Sequence, residues 1–510
     1  MVRARIMTNK NFKIIVPFYN VEQWINKCVR SIQLQTYQDF KCFLIDDIST
    51  DSSVSIIEKL IANDDRFTLI KNTEKKYALR NIFEAIEQSG NNSEDIIVTL
   101  DGDDWLATKT VLSTLDNIYR ESDCWMTYGS YIEYPSKKIG QFCREIDKNI
   151  INNNSHRENR WVSSHLRTFK RSLWERIKIE DLKQKDGKFY RMTWDQAFMF
   201  PMLEMSRHRA RHIEKPLYVY NRENPINDDK VNHRLQIETE KEIRRKEKYD
   251  KINTLNCNLK GGLGNMLFQI AATISIAKDN NMEPSFYNLD NHLRFLNKDV
   301  NQFHEAFGDF NQSSLTGREK LINFPFHYEN ISIPKEDLLM EGFFQDQKYF
   351  INNEKEIREV FKIPKEIQQY LTKKYSFFLN KVTTSLHVRR GDYMKKPDFH
   401  PFLGKQFYDD AMKELPDTEV FVVFSDDISW CKDNFVGEKF VFISGEEDYI
   451  DLYLMSLCEN NIIANSSFSW WGAWLNNNEN KTVICPKIFV GNKLSHLDVS
   501  GVYPEDWKRR

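Results

Sequence analysis

Three aspartates crowd around one glycine in the stretch VTLDGDDWL, residues 98–106, at the end of an apolar run. Carboxylates that close repel one another, so their gathering needs a chemical reason. Asp101 and Asp103 stand two apart in a turn, a spacing at which both can converge on one divalent ion. Mg2+ or Mn2+ prefers oxygen ligands shared with substrate phosphates, and it neutralises charge on a leaving diphosphate. Far along the chain, TTSLHVRRGDY at 383–393 delivers Arg389 and Arg390 into a turn with Gly391 and Asp392. Guanidinium forks grip phosphate oxygens in bidentate pairs and do not deprotonate, so they can do the same work without a metal. Taken singly, each motif has a plainer reading. Most D-x-D pairs are solvated loops, and most Arg–Asp turns are surface ion pairs.

The elements that place these turns show in the hydrophobic pattern. FKIIVPFY (12–19), KCFLIDD (41–47), FTLIKN (67–72) and DIIVTLD (95–101) read as buried strands. VEQWINKCVRSIQLQ (21–35), DSSVSIIEKLIAN (51–63) and YALRNIFEAIEQS (77–89) between them have helical spacing. This alternation predicts a mostly parallel sheet with helices on its faces, and such sheets bind ligands beyond the carboxyl ends of their strands. Asp46, Asp47, Asp101, Asp103 and Asp104 all fall at such ends. Residues 150–225 are less regular and rich in Arg, His and aromatics. VNHRLQIETEKEIRRKEKYDKI (231–252) reads as a charged helical connector, with a plain solvated helix as the alternative. Beyond it, CNLKGGLGNMLFQIAATISIAKDNN restarts a strand, a Gly-rich loop and a helix, and a third such passage runs from TTSLHVRRGDY to NKTVICPK. The expected organisation is a domain over 1–228, a linker over 229–254 and a domain over 255–510.

Bulk composition narrows the partners. The 510 residues are too many for one core. Seventy-two Lys+Arg against 74 Asp+Glu leave a net charge of −2, which argues against general nucleic-acid binding and requires any anion site to be local. The 8 cysteines form no C-x-x-C pair, as expected of reduced thiols and a cytoplasmic location. No apolar run reaches the ~18–20 residues of a membrane span, and the N-terminal MVRARIMTNK lacks the apolar stretch of a signal peptide. No integral membrane segment is expected, and peripheral membrane contact stays open.

The stretch from IIVPFYNVEQWINKC to FLIDDISTDSS, followed by RNIFEAI and LDGDDWL, resembles the family 2 glycosyltransferases, which have the GT-A fold. The resemblance is close over about 12–135 and looser to about 225. It implies that Pro17, Tyr19 and Asp47 line a nucleotide pocket. It also implies that Asp101 and Asp103 face a metal and the sugar diphosphate, with Asp104 holding the loop instead. An inverting transfer needs a base for the acceptor hydroxyl. The resemblance places an acid near a downstream helix start, where MTWDQAFMFPMLEM offers Asp195. The alternative for Asp195 is a carboxylate settled by the helix dipole. His165 is an acceptor contact, a metal ligand or a structural residue. Arg80-Asn81 matches a family position, but the usual preceding glycine is absent.

NLKGGLGNMLFQIA, EGFFQDQKYF, HVRRGDY, FSDDISWCKDNF and DLYLMSLCENNIIANSSFSWWGAWL together resemble the family 11 glycosyltransferases over about 256–490. These are fucosyltransferases that use GDP-fucose, typically for α-1,2 linkages. The resemblance implies a GT-B-like domain with two Rossmann-type halves and no essential metal. It implies that Arg389 and Arg390 clamp the diphosphate and that His387 and Asp392 shape the turn. Ser466, Ser467 and Phe468 then face the nucleotide at a helix start, where free N–H groups suit an anion. Asp451 is implied to meet the guanine edge. Gly261, Gly262, Gly264 and Asn265 form a loop that lets backbone N–H groups approach phosphate or sugar. Met266 stands where the family commonly has Gln. The base of this half is open between Asp398 and His400, and Trp470, Trp471 and Trp474 are either a sugar platform or core.

The function expected from both resemblances is a bifunctional glycosyltransferase with two nucleotide-sugar donors and a glycan acceptor. The first unit would use Mg2+ or Mn2+. The alternative keeps only the second half catalytic and makes the first a glycan-binding module.

Overall fold

The computed structural model describes residues 11–121, 123–225, 232–312, 315 and 317–510. The basic N-terminal stretch, and the segment 226–231 in which the expected first domain ends, lie outside the described residues. The chain forms two compact units, Met1–Ile252 and Asn253–Arg510.

The first unit is built on one sheet. Its strands are β1 (Phe12–Phe18), β2 (Phe40–Asp46), β3 (Phe67–Lys71), β4 (Ile96–Thr99), β5 (Trp105–Leu106), β6 (Met126–Tyr134), β7 (Arg167–Lys170) and β8 (Ala210–Asn221). They lie in the order β3-β2-β1-β4-β7-β6-β8-β5. The first four pair in parallel, as the alternating pattern predicts. β1 is buried at every position and reads as an apolar run interrupted by Lys13, which pairs with Asp95 at 3.6 Å. Its residues still alternate between faces. Ile14 and Val16 pack with Ile25, Val29 and Ile32, whereas Ile15 packs with Ile82 and Ile86 on the opposite face. Each such burial contributes about 1.5–3 kcal/mol.

The remaining strands are the part the hydrophobic pattern does not reveal. β7 runs antiparallel to both β4 and β6. Its register sets Arg167 opposite Thr99, two residues before Asp101. β8 pairs in parallel with β6 and antiparallel with β5, just past the aspartate loop.

The charged helix His233–Arg244 is not a free connector. Ile243 is buried in the first unit's core. Arg157 donates to the Ile243 carbonyl at 2.8 Å and forks onto Glu204 at 2.6 and 2.9 Å. The Tyr249 N–H donates to Glu204 at 3.0 Å. A buried ion pair and one apolar stripe thus hold the segment to Ile252 in this unit.

The second unit holds two parallel sheets. β9 (Thr254–Cys257), β10 (Glu283–Ser285), β11 (Lys320–Asn323) and β12 (Leu338–Glu341) lie in the order β10-β9-β12-β11. β13 (Thr383–Val388), β14 (Val420–Ser425), β15 (Phe440–Phe442), β16 (Asn460–Ile462), β17 (Val483–Cys485) and β18 (Lys508–Arg509) lie in the order β15-β14-β13-β16-β17-β18. Every neighbouring pair in both sheets is parallel. The fold class is the expected one: α/β, with a mostly parallel GT-A-like sheet first and two Rossmann-type halves after it. Trp470, Trp471 and Trp474 resolve to core. They are nearly inaccessible, and Phe268 packs on Trp470 and Trp471 at 4.5 and 5.1 Å between ring centres. Among the described residues no helix is long and apolar enough to cross a membrane.

Candidate active sites

In the first unit, the loop after β4 is pressed against the end of β1. The Gly102 N–H donates to the Pro17 carbonyl at 3.2 Å, and a Cβ on Gly102 would meet the Phe18 Cβ at 2.4 Å. Only glycine permits that approach, and it fixes Asp101 and Asp103 on either side.

The three aspartates then diverge. Asp104 is buried and turned into the protein, accepting from the Tyr218 hydroxyl and the Asn221 N–H, both at 2.6 Å. Burial, with the charges of Asp103 and Asp101, drives its carboxyl far above the usual range. It holds the loop. Asp103 accepts from Asn224 at 2.7 Å. Burial pushes it up to about 6 against that hydrogen bond, and the Asp101 charge adds to the rise. Asp101 goes the other way. Burial opposes its ionisation, but the Arg167 guanidinium at 3.8 Å holds it below the usual range.

Arg167 ties this loop to Asp195. It is buried on β7, donates to Asp195 at 2.9 Å and sits 2.6 Å from His165 Nε2. A guanidinium has only donors, so that nitrogen accepts and the neutral ring carries its proton on Nδ1, beside Ser164 at 3.1 Å. Burial keeps His165 neutral, and the ring stacks on Tyr218 at 4.4 Å. His165 is thereby engaged as a structural and orienting residue. Asp195 lies in the first turn of the helix Trp194–Ser206 and stays partly open to solvent.

Asp47 is the organiser of the neighbouring loop. Its carboxylate accepts from the N–H groups of Lys76 and Tyr77 at 2.8 and 3.0 Å, with Lys75 Nζ at 3.4 Å. Burial opposes its ionisation, yet these partners hold it below the usual range. The Lys75 ammonium also covers the exposed Tyr19 ring, so Tyr19, Lys75 and Asp47 form one cluster beyond β1 and β2. Arg80 faces Glu74 and Glu84, away from this cluster's carboxylate, while Asn81 is buried and accepts from Asn72.

The donor set fits a hard divalent cation: two oxygen ligands, one of them with its negative charge poorly compensated. Among the described residues no three His, Cys, Asp or Glu side chains are grouped to hold a metal alone. An ion here would complete its shell with phosphate oxygens and water.

In the second unit, Arg389 and Arg390 follow β13 directly. Arg389 reaches Asp392 at 2.7 Å and Asp426 at 3.1 Å; Arg390 reaches Asp427 at 3.1 Å and lies 4.2 Å over the Trp430 ring. Each guanidinium is thus oriented by a carboxylate and keeps donors in reserve. His387 is buried, its Nδ1 has no partner, and burial with the Arg389 charge lowers it to about 3. It faces Phe468 at 5.7 Å between ring centres.

The glycine loop meets the second helix start. A Cβ on Gly264 would strike the Phe468 nitrogen at 2.4 Å, so the starts of the helices Leu263–Asp279 and Ser467–Trp474 can touch only through glycine. Ser467 donates to Asn265 at 2.7 Å, Gln345 donates to the same oxygen at 2.6 Å, and Ser466 caps the Phe468 N–H at 3.4 Å. Gly262 precedes the first of these helices as its capping residue. Met266 is fully buried; the family's amide contact at that position has no counterpart here. Asp451 lies in the first turn of the helix Asp448–Ser456 with a buried, unpartnered Oδ1, and burial with Glu446 and Asp448 pushes it up to about 7. Asp398 points elsewhere: it is largely exposed and pairs with Lys493 at 3.6 Å.

Sequence reading missed Arg167, Tyr218, Asn224 and Gln345 as site residues. Asp426 and Asp427 were visible in the FSDDISWCKDNF motif but carried no assigned role.

Parallel α/β units that mass charged turns at the carboxyl ends of their strands are suited to binding ligands there, and family patterns identify the class as glycosyltransferase. The chain belongs to glycosyl transferase family 11, whose pattern matches residues 225–508, and the glycosyl transferase family 2 pattern matches residues 13–177. It is similar to the Escherichia coli O-antigen biosynthesis glycosyltransferase WbnK, at 31% identity over 296 residues, 47% of this chain and 96% of that protein. An Escherichia coli alpha-1,2-colitosyltransferase is 36% identical over 181 residues, 33% of this chain and 61% of that protein. A solved structure of S. aureus TarS 1–349 with UDP-GlcNAc aligns at 19% identity and a TM-score of 0.33, over 42% of this chain and 58% of that one.

Proposed function

We propose that the chain is a bifunctional glycosyltransferase that extends one glycan by two transfers. The first unit moves a sugar from a nucleotide-diphosphate donor with inversion. The second moves L-fucose from GDP-fucose to a sugar hydroxyl, in the manner of a galactoside 2-α-L-fucosyltransferase. The observation that carries this reading is the presence of two charged turns of opposite sign, each at the carboxyl end of a parallel strand, in one chain. Asp101 and Asp103 form an anionic loop, whereas Arg389 and Arg390 form a cationic turn.

In the first unit, Pro17, Tyr19 and Asp47 border the nucleotide, and Asp101 and Asp103 would hold Mg2+ or Mn2+ against the diphosphate. A metal bound there neutralises charge on the departing group. Asp195, oriented by Arg167 at 2.9 Å, takes the proton of the acceptor hydroxyl. In the second unit, Arg389 and Arg390 grip the diphosphate oxygens without a metal. The Ser467–Trp474 helix start turns N–H groups toward the same anion. Gly262, Gly264 and Asn265 let the opposite helix start approach it, while Asp392 steadies Arg389 at 2.7 Å and His387 walls the turn. The alpha-1,2 linkage named for one relative agrees with the linkage proposed for this half.

The test is a nucleotide-sugar donor screen on the full chain with and without EDTA, repeated on Asp103→Ala and Arg390→Ala. Asp103→Ala and EDTA should each abolish one transfer and spare the use of GDP-fucose. Arg390→Ala should do the reverse. Loss of both transfers in EDTA would refute the metal-free assignment of the second half.

A further inference from the structure

The second unit contains a cleft of about 540 Å3 on the side of the glycine loop. Asn265 and Gln345 line it, so it opens beside the contact between Asn265 and Ser467. Its size is that of a small-molecule site. Its lining is of two kinds. Phe324, Phe326, Phe343 and Phe489 supply flat apolar faces. Phe343 is 41% exposed and pairs with no other ring among the described residues, although an aromatic of that size is ordinarily covered. The polar lining is fixed in place: Glu341 is held by Lys260 at 2.9 Å and by Asn258 at 3.0 Å. A pyranoside has a C–H face and a polar rim, and a galactoside, with its axial O4, gathers its C–H bonds on one side. A lone ring beside anchored polar groups is complementary to that shape.

The same cleft is lined by His400. Its ring stacks on Tyr393 at 4.9 Å and 19°, and the Arg389 guanidinium lies 5.6 Å from the centre of the same tyrosine ring. The Tyr393 ring thus links His400, on the cleft wall, to the arginine proposed to hold the diphosphate. No hydrogen bond from a described residue occupies either ring nitrogen. Asp398, the rival base, is absent from the cleft lining and is bound to Lys493.

The geometry points to an acceptor subsite in this cleft, with the acceptor pyranose resting on Phe343 and His400 serving as the catalytic base of fucosyl transfer. This rests on the fucosyltransferase reading above. The acceptor hydroxyl gives its proton to a ring nitrogen of His400 as its oxygen bonds to the anomeric carbon of fucose. The bond from that carbon to the phosphate oxygen breaks, and its electron pair leaves with GDP. Burial holds His400 below its ordinary range, so it is neutral and ready to accept at neutral pH.

Two variants separate the parts. Phe343→Ala should raise the KM for lactose roughly tenfold, the loss expected from one uncovered ring, with kcat nearly kept. His400→Gln should lower kcat roughly a hundredfold or more, remove the acidic limb of the kcat/KM profile, and leave GDP affinity by calorimetry unchanged. Saturation-transfer NMR on the full chain should show lactose bound by the wild type and lost in Phe343→Ala, with no donor present. Unchanged lactose binding in Phe343→Ala would overturn the subsite. Wild-type turnover in His400→Gln would overturn the base. A wild-type chain that binds lactose but never consumes GDP-fucose would overturn the donor reading and the base together, while upholding the sugar subsite.

Discussion

Asp451 keeps a buried, unpartnered Oδ1 in the first turn of the helix Asp448–Ser456. Burial, reinforced by Glu446 and Asp448, lifts it to about 7. An unfolded carboxyl releases its proton near ~3.9, so the folded state binds more protons across the window from about 4 to 7. The group's contribution to stability is therefore full below about 4 and declines as pH rises toward 7. Asp451→Asn should flatten that part of the stability–pH curve, as read by denaturant titration at several pH values. Ligand binding should show the opposite trend. A guanine edge presents N–H donors, which need an ionised carboxylate acceptor. GDP affinity should rise as pH passes upward through about 7, with proton release on binding, and Asp451→Asn should lose both effects in calorimetry. A pH-independent affinity would separate Asp451 from the guanine.

At the scale of elements, the four-strand parallel core of the first unit was legible because alternating strands and amphipathic helices leave a periodic trace, whereas the two halves of the second were expected from its family resemblance. Asp101, Asp103, Arg389 and Arg390 were legible because each pair sits in one short turn. Arg167 and Asn224 were not. They reach the aspartate loop from β7 and from just beyond β8, strands that a linear pattern does not connect to β4. β8 also mixes buried and exposed positions without a clean period. The helix His233–Arg244 misled for a related reason: its charged composition hides the inward Ile243 and the ion pair beneath it. That pair gives a test. Glu204 is fully buried, and removing it leaves Arg157 charged without its partner. Glu204→Ala should destabilise the first unit by about 3–5 kcal/mol in chemical denaturation. A fragment ending at residue 228, which lacks the helix that Arg157 holds at Ile243, should unfold more readily than one ending at 252. Equal stability of the two fragments would return the helix to the role of a connector.

At the scale of the whole molecule, a net charge of −2 provides no broad field for gathering nucleotides, so each unit concentrates its own charge in a loop or turn. Each unit also carries its own cores, with Ile14 and Ile15 on the two faces of one sheet and Phe268 and Leu386 in separate clusters of the other unit. Residues 1–252 and 253–510 should therefore fold as separate chains, and each should keep the single transfer proposed for it. What separation should cost is coupling. In one polypeptide, a glycan still held by the first unit meets the second at an effective concentration on the order of millimolar, whereas separate chains meet it only at bulk concentration. The intact chain should form doubly extended glycan with a short lag, and an equimolar mixture of the two fragments at micromolar concentration should show a longer one. Added unlabelled intermediate should dilute label from the double product strongly in the mixture and weakly in the intact chain. Equal lags and equal dilution would mean that the two transfers share a polypeptide without sharing a substrate.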